Sequence, residues 1–262
     1  MLGYADDLDS WPIGHRIGPD LRVPCASKCT GVSSSHAAEP ASDALKCQHG
    51  IRHRMKSRKH AQTRPSPVPV ALLLIDVLTT FQFPDGDTIL SSALTMRDAL
   101  VRLKFRSRAA RIPVLYVNDN FGDWRGEKEV LIGRCLEAKG TDFIRPLLPE
   151  SEDYFILKPM HSAFYMSPLE VLLEHLQVET LILTGLTSNS CITVTAHDAN
   201  MRGFRIYTPS DCSCARSAKE HTQALKQLEA MAGANLTSSS SLKLPKLIRA
   251  AKVSQRSEKE RS

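Results

Sequence analysis

The apolar run VPVALLLID, which spans residues 68–76 and ends at Asp76, is the feature that most limits the possible folds. A run of this length without polar alternation predicts a β-strand that is buried on both faces, as in a parallel sheet covered by helices. Four more short strand-like runs follow it, at residues 113–117, 154–157, 180–184 and 204–208.

Segments with helical periodicity separate these strand-like runs. They cover residues 89–111, 129–139, 168–177, 191–201 and 215–231. Strands that alternate with helices of this length imply right-handed βαβ crossovers. The sequence therefore predicts an α/β fold, a doubly wound and mostly parallel sheet of five or six strands with helices on both faces. The sixth would be an edge strand near residues 234–237.

Composition divides the chain into three parts. Residues 1–67 lack periodicity and mix Ser, Pro, Gly, His and charge, which predicts a disordered or loosely attached extension. Residues 243–262 are basic and are predicted to be a disordered tail, which leaves residues 68–242 as the folded domain. The end segments hold the basic excess, because residues 68–242 have a net charge of −3 in a chain of net charge +6. The charge therefore gives no evidence for a specific nucleic-acid partner.

Cysteine usage and the N-terminal residues predict a cytoplasmic protein. The seven cysteines are scattered and odd in number, which fits a reducing compartment. Acidic residues near the N-terminus argue against a signal peptide, and no apolar run is long enough to cross a membrane. One group of zinc-binding residue types matches no zinc template, so we interpret it as incidental: Cys25, Cys29, His36, Cys47 and His49.

Chemically capable side chains follow three of the predicted strands. Asp76 follows the first, Lys158 follows the third, and Cys191 lies just beyond the fourth in the stretch GLTSNSC. Ligands of doubly wound sheets bind outside the carboxyl ends of the strands, so we expect these residues to converge. The start of a helix favours a thiolate at Cys191, and the ammonium of Lys158 would favour it further. Asp76 would accept and return a proton.

Three motifs resemble those of the isochorismatase-like cysteine hydrolases, which include nicotinamidases and N-carbamoylsarcosine amidohydrolases. The motifs are LLLIDV followed by Phe81, KPMHSAFY at residues 158–165, and GLTSNSC with a later TAHDA and a PSD that ends at Asp211. The resemblance extends over residues 70–227 and contains the three candidate residues in order. It implies the three-layer α/β/α fold of that family and a hydrolase domain over residues 68–242.

The resemblance also implies a mechanism in which Cys191 attacks an amide or carbamoyl carbon and forms a thioester that water hydrolyses. Asp76 would deprotonate the thiol, protonate the leaving amine and activate water, while Lys158 orients Asp76. A cis peptide would lie at Leu186–Thr187, and the backbone N–H groups of Thr187 and Cys191 would form an oxyanion hole. The predicted function is therefore a cysteine hydrolase that cleaves a C–N bond of a small amide, carbamoyl or ureido compound.

Six further residues are predicted to contact the substrate, because they lie near strand ends or in the loops that follow them. These residues are Phe81, Asn118, Asn120, Trp124, His161 and Phe164. Core packing explains aromatic residues beside strand ends equally well, and ordinary turn chemistry explains the polar ones. Both interpretations stay open at the level of sequence.

Departures from the family pattern narrow the predicted chemistry. Nicotinamidases bind a metal through an Asp-x-His in the loop after the second strand, whereas here Asp119 is followed two positions later by Phe121. We therefore expect no metal and no cofactor. True isochorismatases lack the nucleophilic cysteine, so the presence of Cys191 disfavours ether cleavage. Leu-Thr-Thr-Phe at residues 78–81 replaces the common Gln-Asn-Asp-Phe, which leaves the substrate open.

The expected partner is a small-molecule substrate, with no specific nucleic acid and no membrane. Related proteins of this fold form dimers or larger assemblies, so a homo-oligomer is expected. The alternative is a catalytically silent isochorismatase-like domain that binds a small molecule or a protein partner. A nucleotide-binding protein has no support, because the chain shows neither the Gly-rich dinucleotide fingerprint nor a P-loop.

Overall fold

The structure is a computed structural model that describes residues 68–123 and 127–259. The predictions for residues 1–67, including the group of zinc-binding residue types, lie outside these ranges, as does Trp124. Across the described ranges, no helix is both long enough and apolar enough to span a bilayer.

The described residues form a six-stranded parallel sheet, in the order β3-β2-β1-β4-β5 with β6 beside β4. The strands are β1 (Val70–Ile75), β2 (Val114–Asp119), β3 (Tyr154–Lys158), β4 (Thr180–Leu186), β5 (Arg205–Tyr207) and β6 (Ser213–Cys214). The first apolar run lies at the centre, where β1 pairs with β2 on one side and β4 on the other. This confirms the predicted parallel α/β fold.

Seven α-helices connect or flank these strands within the described residues. They are α1 (Gly86–Ala109), α2 (Lys128–Leu136), α3 (Thr141–Ile144), α4 (Leu169–His175), α5 (Thr193–Met201), α6 (Ala218–Ala232) and α7 (Leu244–Lys259). A 3-10 turn (Arg145–Leu147) follows α3, and a π-helical turn (Ser188–Ile192) precedes α5.

Two hydrophobic cores lie on opposite faces of the sheet, because successive side chains of a strand point to opposite sides. On one face, Leu72 and Leu74 of β1 pack in a core with residues of α1 and α7. On the other face, Leu73 and Ile75 pack in a core with residues of α4, α5 and α6. The layer that contains α5 therefore supports the turn that carries Cys191.

The sixth strand differs from its predicted place. It is formed by Ser213–Cys214, which pairs with Gly185 and Leu186 at the carboxyl end of β4. Since β5 pairs only with residues 180–182 of β4, the end of β4 is available to a second neighbour. The segment near residues 234–237 contributes a single bridge from Asn235 to Tyr207.

The C-terminal segment is helical in α7, where the sequence predicts a disordered tail. The physical reason is an apolar stripe at helical spacing, since Leu244, Leu247 and Ala251 are buried in the same core as β1. Basic residues such as Lys246 and Arg249 lie between them and are exposed. High net charge in this segment therefore hides an amphipathic helix.

Candidate active site

The three predicted catalytic side chains lie at the carboxyl edge of the sheet. Asp76 directly follows β1 with a left-handed φ of 52°, and Lys158 is the last residue of β3. Cys191 lies in the π-helical turn between β4 and α5. The parallel sheet thus brings together residues that are far apart in the sequence.

The ammonium of Lys158 lies between the other two groups. Its Nζ is 2.9 Å from Oδ2 of Asp76 and 3.6 Å from Sγ of Cys191, and it donates a 3.1 Å hydrogen bond to the carbonyl of Met160. The side chain of Lys158 has no exposed surface. The carboxylate of Asp76 also raises the pKa of the Cys191 thiol. Thiol, carboxylate and ammonium therefore form one contact group.

The electrostatics of this group favour a neutral thiol in the resting state. Burial raises the pKa of Cys191, the adjacent carboxylate of Asp76 raises it further, and Lys158 only partly opposes the rise. Burial lowers the pKa of Lys158, but Asp76 and the neighbouring acidic groups outweigh it, so the pKa lies above the ordinary value. Burial and Asp76 thus oppose the effect of the helix start and of Lys158, and the thiol lies beside a carboxylate that can take its proton.

Asp119, the last residue of β2, adds a second carboxylate. Its Oδ2 lies 3.9 Å from Nζ of Lys158, and its backbone N–H donates a 2.7 Å hydrogen bond to Oδ1 of Asp76. Its own Oδ1 accepts a 2.6 Å hydrogen bond from the backbone N–H of Phe121. Burial raises the pKa of Asp119, and the charge of Lys158 opposes that rise. Asp119 thus orients Asp76 through its backbone and shares the ammonium through its side chain.

A cavity of about 230 Å³ opens onto this group. Asp76, Asp119 and Cys191 line its reactive end, together with Thr187 and His161. The remaining wall combines small polar and apolar side chains: Thr79, Thr80, Gln82, Phe83, Ile89, Phe121, Leu186 and Ser190. The space fits a small molecule that presents a polar reacting group to Cys191 and an apolar part to the wall.

His161 is the predicted substrate-contact residue that the structure brings to the nucleophile. Its Nδ1 lies 3.4 Å from Oγ of Ser190 and 3.8 Å from Sγ of Cys191. Since the residue also lines the cavity, its ring can contact a bound molecule.

The turn around Cys191 has the predicted cis peptide at Leu186–Thr187. The carbonyl of Thr187 accepts hydrogen bonds from the backbone N–H groups of Ser190 and Ile192, which closes the turn. Cys191 lies at the start of the helical segment, where backbone N–H groups lack intrahelical acceptors. Thr187 and Cys191 thus remain the predicted oxyanion donors, and both line the cavity.

Four of the other predicted contact residues do not line the cavity. Phe81 has no exposed surface, and its ring packs against those of Phe83 and Phe143. Phe164 is buried in the core beneath α5, against Phe204.

The two asparagines serve the backbone instead. Asn118 is fully buried and donates a 2.7 Å hydrogen bond to the carbonyl of Leu78. Oδ1 of Asn120 accepts a hydrogen bond from the N–H of Gly122 within its own loop. Core packing therefore accounts for the two aromatic residues, and backbone hydrogen bonds account for the two asparagines.

Several cavity residues were missed by the sequence prediction. Thr79, Thr80, Gln82 and Phe83 come from the loop between β1 and α1. The signal for them was their position directly after a strand that ends in a candidate catalytic residue. Two positions after Asp119, Phe121 offers no metal-binding atom, and no three His, Cys, Asp or Glu side chains converge as metal ligands in residues 68–123 and 127–259.

The chain is similar to known proteins in sequence and in fold. The model of the isochorismatase domain family matches residues 70–241. The isochorismatase family protein YaaI of Bacillus subtilis is 35% identical over 167 residues, which cover 64% of this chain and 92% of YaaI. Streptothricin hydrolase of Streptomyces noursei is 29% identical over 201 residues, 75% of this chain and 70% of that protein.

A solved structure has the same fold. The crystal structure of N-carbamoylsarcosine amidase from Thermoplasma acidophilum superposes with a TM-score of 0.51 at 25% identity, and it covers 66% of this chain and 98% of that one. The family model, the relatives and the solved structure all indicate the same family and fold. The chain belongs to the isochorismatase family of hydrolases.

Proposed function

We propose that this protein is a cysteine hydrolase that cleaves a C–N bond of a small amide, carbamoyl or ureido compound through a thioester intermediate. The observation that carries the proposal is the contact of Lys158 Nζ with both Asp76 Oδ2, at 2.9 Å, and Cys191 Sγ, at 3.6 Å, at the end of a cavity. A nucleophile, a base and a fixed cation are the groups that acyl transfer through a thiol requires.

In the first half of the reaction, the Cys191 thiol gives its proton to Asp76 while Sγ bonds to the substrate carbonyl carbon. The carbonyl oxygen becomes an oxyanion, which the backbone N–H groups of Thr187 and Cys191 stabilise. The C–N bond then breaks, and the leaving nitrogen takes the proton from Asp76. The products of this half are a thioester on Cys191 and free amine or ammonia.

In the second half, Asp76 accepts a proton from water as the water oxygen attacks the thioester carbon. The C–S bond breaks, the acid product leaves, and the proton on Asp76 returns to Sγ of Cys191. Lys158 keeps its proton throughout, because its raised pKa and its buried carboxylate partners hold it charged. Its positive charge stabilises the negative charge that moves between Asp76, the oxyanion and Sγ of Cys191 during the reaction.

The relatives and the cavity support the proposed substrate class. The name of one similar protein, an N-carbamoylsarcosine amidase, supports hydrolysis of an amide or carbamoyl group, and the name of the streptothricin hydrolase supports hydrolysis in general. Phe83, Ile89 and Leu186 would contact an apolar part of such a compound. A cytoplasmic location and a homo-oligomeric state remain predictions from the sequence.

The proposal is tested by a screen of primary amides, N-carbamoyl amino acids and ureido compounds, with released ammonia or amine as the readout. Cys191→Ala protein is the matched control, since it keeps the cavity and lacks the nucleophile. Release that requires Cys191, with substrate acyl mass retained on the protein after rapid quenching, supports the thioester route. Equal release by Cys191→Ala protein contradicts it, and no release by any compound favours the catalytically silent alternative.

A further inference from the structure

We infer that His221 of α6 is a positioning residue that fixes the turn carrying Cys191. Its ring connects two parts of the chain around the site. Nδ1 lies 2.9 Å from Oγ of Ser188, the first residue of the π-helical turn, and Nε2 lies 3.0 Å from the carbonyl of Ser210, in the loop between β5 and β6. His221 is partly buried and is absent from the cavity wall.

The hydrogen-bond partners determine the tautomer of this histidine. The carbonyl of Ser210 can only accept, so Nε2 of His221 carries the proton and donates. With Nε2 as the donor, Nδ1 is the acceptor of the hydrogen bond from the Ser188 hydroxyl. The ring is therefore held from both sides in one orientation, and it holds the Ser188 side chain in turn.

Ser188 is the residue of the π-helical turn that His221 of α6 contacts. Its side chain is fully buried, and its carbonyl accepts a 2.6 Å hydrogen bond from Oγ1 of Thr193. A second contact from α6 reaches the next residue, because Nδ2 of Asn189 donates to Oε2 of Glu220 at 3.4 Å. The start of α6 thus holds two successive residues of the turn.

The placement of this contact gives it a role in the reaction. Ser188 lies between Thr187 and Cys191, whose backbone N–H groups are the proposed oxyanion donors, so this inference rests on the proposed function. A shift of the turn by about 1 Å can cost roughly 100-fold in rate. Loss of the His221 contact should therefore lower kcat by about 10- to 100-fold and leave KM within about twofold.

The experiment compares His221→Phe, His221→Gln, Ser188→Ala and the double variant Ser188→Ala/His221→Phe. Gln keeps an N–H donor and an oxygen acceptor, so it should restore part of the kcat that Phe loses. The double variant should lose no more kcat than the worse single variant, because each substitution removes the same hydrogen bond between Ser188 and His221. His175→Phe is the matched control, since His175 is an exposed histidine at the end of α4.

A second readout needs no substrate. Propionaldehyde adds reversibly to a thiol: the C–S bond forms, the thiol proton passes to the former carbonyl oxygen, and that oxygen occupies the oxyanion site. Protection of Cys191 from iodoacetamide measures this adduct, with peptide mass spectrometry to identify the residue. The half-protecting aldehyde concentration should rise at least about fivefold in His221→Phe and Ser188→Ala proteins and stay unchanged in His175→Phe protein.

Unchanged kcat and unchanged aldehyde protection in folded His221→Phe protein would overturn the inference, as would losses in the double variant that equal the product of the single losses. If His221→Phe fails to fold, Ser188→Ala and His221→Gln decide, with thermal unfolding as the check. Activity in Cys191→Ala protein would instead contradict the proposed thioester route. The aldehyde assay on Cys191 would then still decide the role of His221.

Discussion

The Nζ atom of Lys158 lies 2.9 Å from Oδ2 of Asp76, and no part of the Lys158 side chain is exposed. A buried ammonium of this kind persists because carboxylates surround it, here Asp76 and, at 3.9 Å, Asp119. The pair therefore links the chemistry of the site to the stability of the fold.

Lys158→Met should affect activity and stability together. The variant leaves two carboxylates without their cation, so we expect turnover to fall at least about 100-fold. The free energy of unfolding should drop by about 3–5 kcal/mol, the usual effect of removing one partner of a buried ion pair. Urea denaturation and ammonia release measure the two effects. Wild-type stability in the variant would contradict a stabilising role of the Lys158–Asp76 pair.

The destabilisation by Lys158→Met should depend on pH. Burial raises the pKa of Asp119 and Lys158 opposes that rise, so the variant should raise the pKa further. A carboxyl whose folded-state pKa exceeds its unfolded value contributes stability at low pH and loses it as the pH rises through the folded-state pKa. The deficit relative to wild type should grow from pH about 4 upward. Denaturation curves at pH 5 and pH 7.5 check this, and equal deficits would refute it.

Asp76→Asn should remove turnover yet make Cys191 easier to ionise. The carboxylate of Asp76 raises the pKa of the Cys191 thiol, whereas Lys158 lowers it. Removal of the carboxylate charge leaves the second effect, so the pH at which iodoacetamide alkylation of Cys191 sets in should fall. Peptide mass spectrometry measures the rate at each pH, and Cys191→Ala protein provides the blank. An onset at higher pH than in wild type would contradict the assigned effect of the Asp76 carboxylate, which is to raise the pKa of the Cys191 thiol.

Gly185→Ala should strongly destabilise the sheet. Gly185 has a φ of 111°, and an added Cβ would lie 2.0 Å from the carbonyl oxygen of Ile75 on the neighbouring strand. We expect a loss of more than about 2 kcal/mol in the free energy of unfolding. Gly133→Ala is the control, because a Cβ there meets nothing within 4 Å. That change in α2 should stabilise the protein by about 0.5–1 kcal/mol. Similar effects of the two substitutions would contradict the close β1–β4 approach.

Leu247→Ala should test the unexpected C-terminal helix. The side chain of Leu247 is 7% exposed and packs in the core beside β1. Truncation should cost about 2–3 kcal/mol, at the low end for a buried leucine. Lys252→Ala on the exposed side of α7 should change stability by less than about 0.5 kcal/mol. Equally small effects of the two substitutions in chemical denaturation would contradict the packed helix and favour the predicted disordered tail.

The sequence was sufficient to predict the sheet and the reactive group for one physical reason. Strands buried on both faces read as apolar runs, and the carboxyl ends of parallel strands share an edge. Residues as distant as Asp76 and Cys191 could therefore be brought together without coordinates. The resemblance to the family supplied the cis peptide at Leu186–Thr187, which no local pattern indicates.

The cavity wall was predicted less well, because a side chain's direction after a strand depends on the local backbone. Phe81 has a left-handed φ of 56°, and its ring lies in the core, whereas Phe83 lines the cavity. Asn118 belongs to β2 and is fully buried, whereas Asp119, the next residue, reaches the cavity. A shift of one or two residues decides between core and pocket, and composition does not resolve it.

The tail and the histidine of α6 were missed for different reasons. Charge dominates the composition of residues 243–262 and obscures the spacing of Leu244, Leu247 and Ala251. His221 lies in an ordinary amphipathic helix, and its partners Ser188 and Ser210 are separated from it in sequence. Only the packing of α6 against the nucleophile turn reveals the contact.

The complete burial of Lys158 has a consequence for the covalent chemistry of the protein. Amine-reactive reagents and lysine-modifying enzymes require an accessible amino group that has lost its extra proton. Lys158 is enclosed, and its pKa lies above the ordinary value. Exposed lysines will be labelled in the native protein, and Lys158 only in molecules that have opened at the sheet edge. The labelling rate of this one residue therefore reports how often the reactive centre comes apart.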